Sequence, residues 1–105
     1  MAHRRAMLSL DKAYTTADVT AWAAKIQGEL LVMPKMDGLA CSLRYASDGT
    51  LGLAATRGSG TVGDDITLNV ARIVDVPRKV SETLAGLEVR GEVYMPLSAF
   101  AAFKQ

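Results

Sequence analysis

Leu30-Leu31-Val32-Met33-Pro34-Lys35-Met36-Asp37-Gly38-Leu39-Ala40-Cys41-Ser42-Leu43-Arg44-Tyr45 sets two apolar runs around a lysine and an Asp-Gly pair. A lysine in that position is costly as packing, because lysine is among the side chains least often buried without a partner. A lysine desolvated beside cationic groups loses its proton more readily and becomes a nucleophile. Asp-Gly is also a common hairpin pair. Read alone, these residues fit either a solvated lysine ahead of a turn or a nucleophile at a strand end.

Working outward, residues 29–35 read as a strand. Residues 39–45 read as a second, in which Leu39, Cys41, Leu43 and Tyr45 alternate with Ala40, Ser42 and Arg44. Ser47-Asp48-Gly49-Thr50 is a turn, and Leu51 to Thr56 returns as a third strand. The three predict an antiparallel meander with Lys35 at its first corner. Upstream, residues 1–14 lack a period and read as an extended arm. Thr15 or Thr16 can cap a helix that runs to about Gln27, with Val19, Trp22, Ala23 and Ile26 on its apolar face and Gly28 ending it. That reading places Trp22 in the core.

Downstream, Arg57-Gly58-Ser59-Gly60-Thr61-Val62-Gly63 holds three glycines in seven residues and leads into a helix over residues 64–74. Helix N–H groups attract anions, but Asp64 and Asp65 sit at that start and repel them. The loop is better read as one that positions Arg57. Residues 87–95 predict a further strand, with Leu87, Val89, Val93 and Met95 inward and Glu88, Arg90, Glu92 and Tyr94 outward, and a short helix begins near Leu97-Ser98.

A chain of 105 residues allows one domain, here 1–105, and half of it is hydrophobic. Twelve Lys and Arg against eleven Asp and Glu leave no bulk basic charge for nucleic acid. His3-Arg4-Arg5 is the one basic cluster and reads as a solvated tail. The single cysteine, Cys41, rules out an intrachain disulfide and a cysteine zinc site. It reads as a small buried residue. No apolar run reaches the length of a membrane span and no signal peptide is visible, which predicts a soluble, cytoplasmic protein.

Four blocks carry a resemblance. Pro34 to Tyr45 resembles the nucleophile segment of bacterial NAD-dependent DNA ligases. Ala54 to Val70, Leu87 to Pro96, and Met7-Leu8-Ser9-Leu10-Asp11-Lys12-Ala13-Tyr14 resemble further segments of the same family, in the family's order and spacing. The resemblance implies an α+β fold: part of a nucleotidyltransferase (ATP-grasp-like) adenylation domain, mainly antiparallel sheet with flanking helices. It implies covalent nucleotidyl transfer, in which a lysine amine attacks the α-phosphorus of NAD and forms lysyl-AMP. Lys35 matches the adenylated lysine. Asp37 and Gly38 match the rest of that motif, and Arg57 matches an arginine on the nucleotide. Glu92 matches a glutamate near the ribose and the catalytic metal, and Ser9 and Leu10 match residues lining the adenosine pocket. Mg²⁺ is the implied metal, with no dedicated protein metal site. Nicked DNA, in replication and repair, is the implied partner.

Two positions depart from the family pattern. Met33 stands where a glutamate usually recognises the adenine amino group, and strand alternation predicts that it still faces the pocket. A thioether is a poor acceptor, at a cost of about 1–3 kcal/mol of adenine recognition. Ser59 stands where aspartate is usual. The family's two later lysine motifs and its further domains are absent from these residues, and the last helix is expected to run on past Gln105. The expectation is therefore a truncated adenylation domain that does not ligate alone. The alternative is a non-catalytic nucleotide- or protein-binding remnant of the same fold, pairing with itself or another ligase chain along an open sheet edge.

Overall fold

Strand β1 (Leu39–Tyr45) holds the molecule together, because both of its edges are paired. A computed structural model describes residues 1–105. In it β1 runs antiparallel to β2 (Leu51–Thr56) on one side and to β3 (Glu88–Val93) on the other, giving a three-stranded sheet of order β2-β1-β3. Asp48 shapes the β1–β2 turn by accepting from Thr50 N at 2.9 Å and Thr50 Oγ1 at 2.6 Å, and Gly49 supplies the positive φ of 81° that the reversal needs. The architecture is α+β with an antiparallel sheet.

Register assigns the two faces. Cys41, Leu43 and Tyr45 lie opposite Gly91, Val89 and Leu87's end of β3 and opposite Thr56, Ala54 and Leu51. Cys41, Leu43, Tyr45, Ala54 and Val70 form the core, closed by Leu51, Ile66, Ile73, Val76, Val80 and Val93. Tyr45 stays buried because its hydroxyl donates to the Pro77 carbonyl at 2.9 Å. The other face carries Ala40, Ser42, Arg44, Glu88, Arg90 and Glu92. Ser42 is fully buried there and donates to Glu88 Oε1 at 3.1 Å. Glu88 also pairs with Arg90 at 3.2 Å and Arg44 at 3.7 Å.

The N-terminal arm lies over this polar face and is no loose tail. Arg90 Nη1 and Nη2 donate to the Ala6 and Arg5 carbonyls at 2.9 and 2.6 Å, and Arg44 Nη2 donates to the Ala2 carbonyl at 2.9 Å. His3 N donates to Thr61 O at 2.9 Å, Met7 N to Gly60 O at 2.8 Å, and Met7 is buried.

Several sequence expectations are corrected. Residues 29–35 form no strand. β3 and β2 already occupy both edges of β1, and Pro34 brings no N–H to a ladder. The meander therefore closes through β3, and Lys35 lies on the irregular approach to β1. The first helix, α1 (Thr16–Ala23), has the expected Thr15 cap in a capping box with Asp18, but it ends short of Gln27 and buries no residue. Trp22 is 53% exposed and belongs to no core. The helix over 64–74 shrinks to α2 (Thr67–Val70), because Asp65 draws Thr67 N and Oγ1 to its carboxylate at 2.9 and 2.6 Å in a local turn. Leu87, Val89 and Met95, expected inward, are exposed, as are Leu39 and the whole of α3 (Leu97–Phe103).

The result is an open molecule. Its accessible surface is 8678 Å², where a folded chain of 11.2 kDa has about 5,700 Å². Its radius of gyration is 17.0 Å, against about 13 Å for a compact domain of this length. Neither α1 nor α3 packs on the sheet.

Two tests follow from this geometry. A Cβ at Gly38 would overlap the Val93 carbonyl, whereas one at Gly91 would meet nothing within 4 Å. Gly38→Ala should lower stability by about 1–3 kcal/mol, and Gly91→Ala should leave it unchanged or raise it slightly; urea midpoints of the two variants decide. The second concerns acid. Burial opposes the charge on Glu88, but the Ser42 hydroxyl, Arg90 and Arg44 outweigh it and hold the carboxyl below its ordinary 4.5. A carboxyl lowered on folding stabilises fully above that ordinary value, and the contribution is lost as pH falls through the lower folded value. Thermal midpoints should therefore drop on acidification between about pH 6 and pH 3, and Glu88→Gln should flatten that fall. An unchanged profile in the variant would contradict the ion-pair geometry.

Candidate functional site

Antiparallel pairing on both sides of β1 puts the start of β1 and the ends of β2 and β3 at one end of the sheet. Residues just before β1, just after β2 and late in β3 therefore meet, although they are far apart in sequence. Lys35, Asp37, Gly38, Leu39, Ala40, Thr56, Arg57, Gly58 and Glu92 line a cleft of about 390 Å³ there. Lys35 and Asp37 arrive from the approach to β1, Arg57 from the end of β2, and Glu92 from β3, opposite Ala40.

Close backbone approach shapes this end. Gly38 has no Cβ to collide with Val93, so the Asp37-Gly38 step passes tightly against the end of β3. On the far side, Gly58 and Gly60 take φ of 55° and 95°, and side chains at Gly58 and Gly63 would overlap the Val62 and Thr56 carbonyls. The loop after β2 thus folds back on itself and fixes where Arg57 leaves the sheet. Ser59 serves this turn: its Oγ accepts from Val62 N at 3.2 Å and lies 3.1 Å from Thr61 Oγ1.

The arm completes the setting of Arg57. Its Nη1 donates to Ser9 Oγ at 2.8 Å, its N–H reaches Ala40 O at 3.3 Å, and His3 Nε2 donates to its carbonyl at 3.1 Å. Ser9 reaches the site through Arg57 and does not line the cleft. Leu10 and Met33 do not line it either: both are exposed, Met33 at 66%. The expectation that alternation turns Met33 inward fails because residues 29–35 form no strand.

His3, Thr56 and Met7 have no counterpart among the sequence-derived candidates. Thr56 lines the cleft and its Oγ1 accepts from Asp64 N at 2.9 Å. His3 belongs to the basic cluster that reads as a solvated tail, yet its ring holds the Arg57 carbonyl at 3.1 Å.

The cleft holds two cations, Lys35 and Arg57, and two carboxylates, Asp37 and Glu92. All four side chains belong to exposed residues. Such a site can hold a group that carries both phosphate and hydroxyl. Behind it, burial first and the Glu92 charge second push the Cys41 thiol above its ordinary value, against a Gly91 N–H, so this cysteine is a neutral core residue. No group of three or more His, Cys, Asp or Glu is arranged to hold a metal alone. No helix is long and apolar enough to cross a membrane.

Comparison with known proteins agrees with this picture. Residues 1–105 match the family model of the NAD-dependent DNA ligase adenylation domain. The chain is 44% identical to a DNA ligase of Sphingopyxis alaskensis and 42% identical to one of Rhizorhabdus wittichii, each over 97% of this chain and 16% of the relative. It is 47% identical to DNA ligase 1 of Nocardia farcinica over 96% of this chain and 15% of that protein. The chain thus spans about one sixth of the length of the curated relatives it matches. Over its full 105 residues, the chain belongs to the NAD-dependent DNA ligase adenylation domain family.

Proposed function

We propose that the cleft is the phosphate and ribose side of an adenylate site, in part of a nucleotidyltransferase (ATP-grasp-like) domain, with Lys35 the amine that takes AMP. The observation that carries this reading is the convergence of Lys35, Asp37, Arg57 and Glu92 on one cleft. Its volume of about 390 Å³ suits a small ligand. In the whole ligase NAD is the AMP donor: the Lys35 nitrogen forms a bond to the α-phosphorus, the bond to nicotinamide mononucleotide breaks, and the amine proton leaves. Arg57 offers a planar pair of donors to the phosphate, and Ser9 and the His3 contact keep it aimed. Gly38 and Gly58 let the backbone pass tightly against the Val93 and Val62 carbonyls, which fixes two walls of the cleft.

The site's charges cancel, two against two, so phosphates add negative charge that nothing here offsets. Asp37 and Glu92 are the carboxylates that would hold Mg²⁺, which fills its remaining positions with water and substrate phosphate. The adenine end is less well served, since Met33 lies outside the cleft and supplies no acceptor. The 105 residues alone therefore bind adenine nucleotide weakly, form little or no lysyl-AMP and do not seal nicks. Positioning and charge stabilisation make up most of such transfer, and an open, exposed cleft provides little of either. Joining of nicked DNA, in replication and repair in the bacterial cytoplasm, belongs to the whole enzyme.

A second reading, a protein-binding module of the same fold, is favoured by the outer edge of β3 and by the uncovered Val19, Trp22, Ile26, Leu97, Phe100 and Phe103. Sedimentation of the chain over a range of concentrations separates the two: self-association supports the module, and a strict monomer removes a second copy as its partner.

The adenylate reading is tested by intact-protein mass spectrometry after incubation with NAD and Mg²⁺, alongside calorimetric titration with AMP. Weak AMP binding, lost in Arg57→Ala and Glu92→Gln, with no stoichiometric adduct, is the expected result. Met33→Glu should not tighten binding. A full AMP adduct on the wild-type chain, or nick sealing, abolished by Lys35→Ala, would show a self-sufficient enzyme. AMP binding unaffected by Arg57→Ala and Glu92→Gln would place the nucleotide elsewhere.

A further inference from the structure

One edge of the sheet is closed and the other is open. The outward groups of β2 are taken by the chain itself: Thr56 N donates to Asp64 O at 2.9 Å, Ile66 N to Ala54 O at 2.8 Å, and Ala54 N to Thr67 Oγ1 at 2.9 Å. Nothing does this for β3. Tyr45 N donates to Leu87 O at 2.9 Å, and ladder alternation therefore turns the N–H and C=O of Val89, Gly91 and Val93 toward β1. Those of Glu88, Arg90 and Glu92 point away from it and bond to no other backbone group of the chain. Residues 89–92 are exposed.

An open edge is a template for another strand, and charge on it usually discourages pairing. Here the order of the charges does the opposite. Val89-Arg90-Gly91-Glu92-Val93 reads apolar, positive, small, negative, apolar, so the segment is complementary to its own antiparallel copy. Bonding requires outward residues to stand opposite outward residues. Two symmetric registers then overlap five residues of each copy's Glu88–Val93, one centred on Arg90 and one on Gly91. The first sets Arg90 against Arg90 and Glu88 against Glu92, and like charges directly opposite destabilise. The second sets Arg90 against Glu92 twice on one face and Val89 against Val93 twice on the other. Glu92 is in neither of the chain's two ion pairs, Arg44–Glu88 and Arg90–Glu88. Four bonds to Glu88 and to the Arg5 and Ala6 carbonyls fix the Arg90 guanidinium in place, so its charge meets the second copy without further ordering. The surface needed is there: the chain's 8678 Å² exceeds that of a compact chain of its mass by about 3,000 Å², and a stable interface takes about 800 Å² from each partner.

We propose that β3 is a self-recognition edge, along which two copies of this chain join antiparallel in the register centred on Gly91. The product is a symmetric dimer with one continuous sheet of order β2-β1-β3-β3-β1-β2. Because the chain closes the β2 edge itself, pairing stops at two copies. The dimer rests on the protein-binding reading above and is independent of the chemistry at Lys35.

Sedimentation and thiol cross-linking test it together. The wild-type chain should show a monomer–dimer equilibrium. Glu92→Arg sets arginine against arginine twice and should raise the dissociation constant about tenfold. Glu92→Pro removes an outward N–H, leaves the ladder to β1 intact, and should abolish the dimer; circular dichroism of the dilute variant checks that it folds. Register is read by Gly91→Cys in a Cys41→Ala background. The two Gly91 Cα atoms face each other at about 4.5 Å, within disulfide reach, and a Cβ there meets nothing in the chain's own fold. Oxidation should give a covalent dimer, whereas Val89→Cys in the same background, two residues along the same face, should give none. A strict monomer at the highest soluble concentration would overturn the proposal, and so would cross-linking through Val89→Cys in place of Gly91→Cys. A dimer undiminished in Glu92→Pro would overturn it too, while leaving the protein-binding reading standing with another surface.

Discussion

Everything depends on the double pairing of β1. With β2 on one edge and β3 on the other, Ala40 is brought opposite Glu92 and Cys41 opposite both Thr56 and Gly91. The same register turns Cys41, Leu43 and Tyr45 into the core and Ser42 and Arg44 toward the polar face. A slip of one residue would exchange those sets, burying an arginine and exposing a tyrosine. Gly38 then sets the limit of the ladder, because only a residue without a Cβ can pass the Val93 carbonyl. Core, cleft and polar face are three consequences of one register.

What was legible in the sequence follows from how local each signal is. Strands over 39–45 and 51–56 show an alternation and a turn within their own residues, and the structure has both. The Thr15–Asp18 capping box is a four-residue affair and forms as expected. A strand over 29–35 required knowing which neighbour would take it, and β1 had no edge left. Trp22 looked like core because apolar residues shared a helix face, but a face is buried only if something covers it, and nothing packs on α1. The arm over the polar face left no trace in the pattern. Its contacts are made to backbone carbonyls of Ala2, Arg5 and Ala6, which every residue possesses. The meeting of Lys35, Asp37, Arg57 and Glu92 was legible through family resemblance, and the strand order supplies its physical reason. The exclusion of Met33 and Leu10 from the cleft was not legible, because it depends on the path of an irregular segment.

The arm changes the meaning of the loop after β2. Glycine-rich loops are usually read as places where a ligand approaches the backbone. Here the backbone approaching Gly60 and Gly63 is the chain's own N-terminus: Met7 N donates to Gly60 O, and the Met1 amine and carbonyl exchange bonds with Gly63 at 2.8 Å each. The glycines at 60 and 63 serve internal packing, and what they deliver to the cleft is a fixed Arg57. That is a positioning role, and it links the first residues of the chain to a side chain more than fifty positions away.

The segments on either side of Lys35 govern its placement. Upstream of it, Leu30 to Met33 are exposed and pair with no strand; downstream, the tight passage of Gly38 past Val93 is the fixed point. Lys35 is therefore anchored from one side, three residues away. An amine that attacks phosphorus gains most of its advantage from being held at the right distance and angle, and a one-sided anchor holds it poorly. Burying Leu30–Met33 under any covering surface would supply the second anchor, and the apolar area it removes from water would provide the driving force. Coverage of an apolar run and placement of Lys35 are thus one event. A chain that leaves that run in water also leaves Lys35 held from one side only.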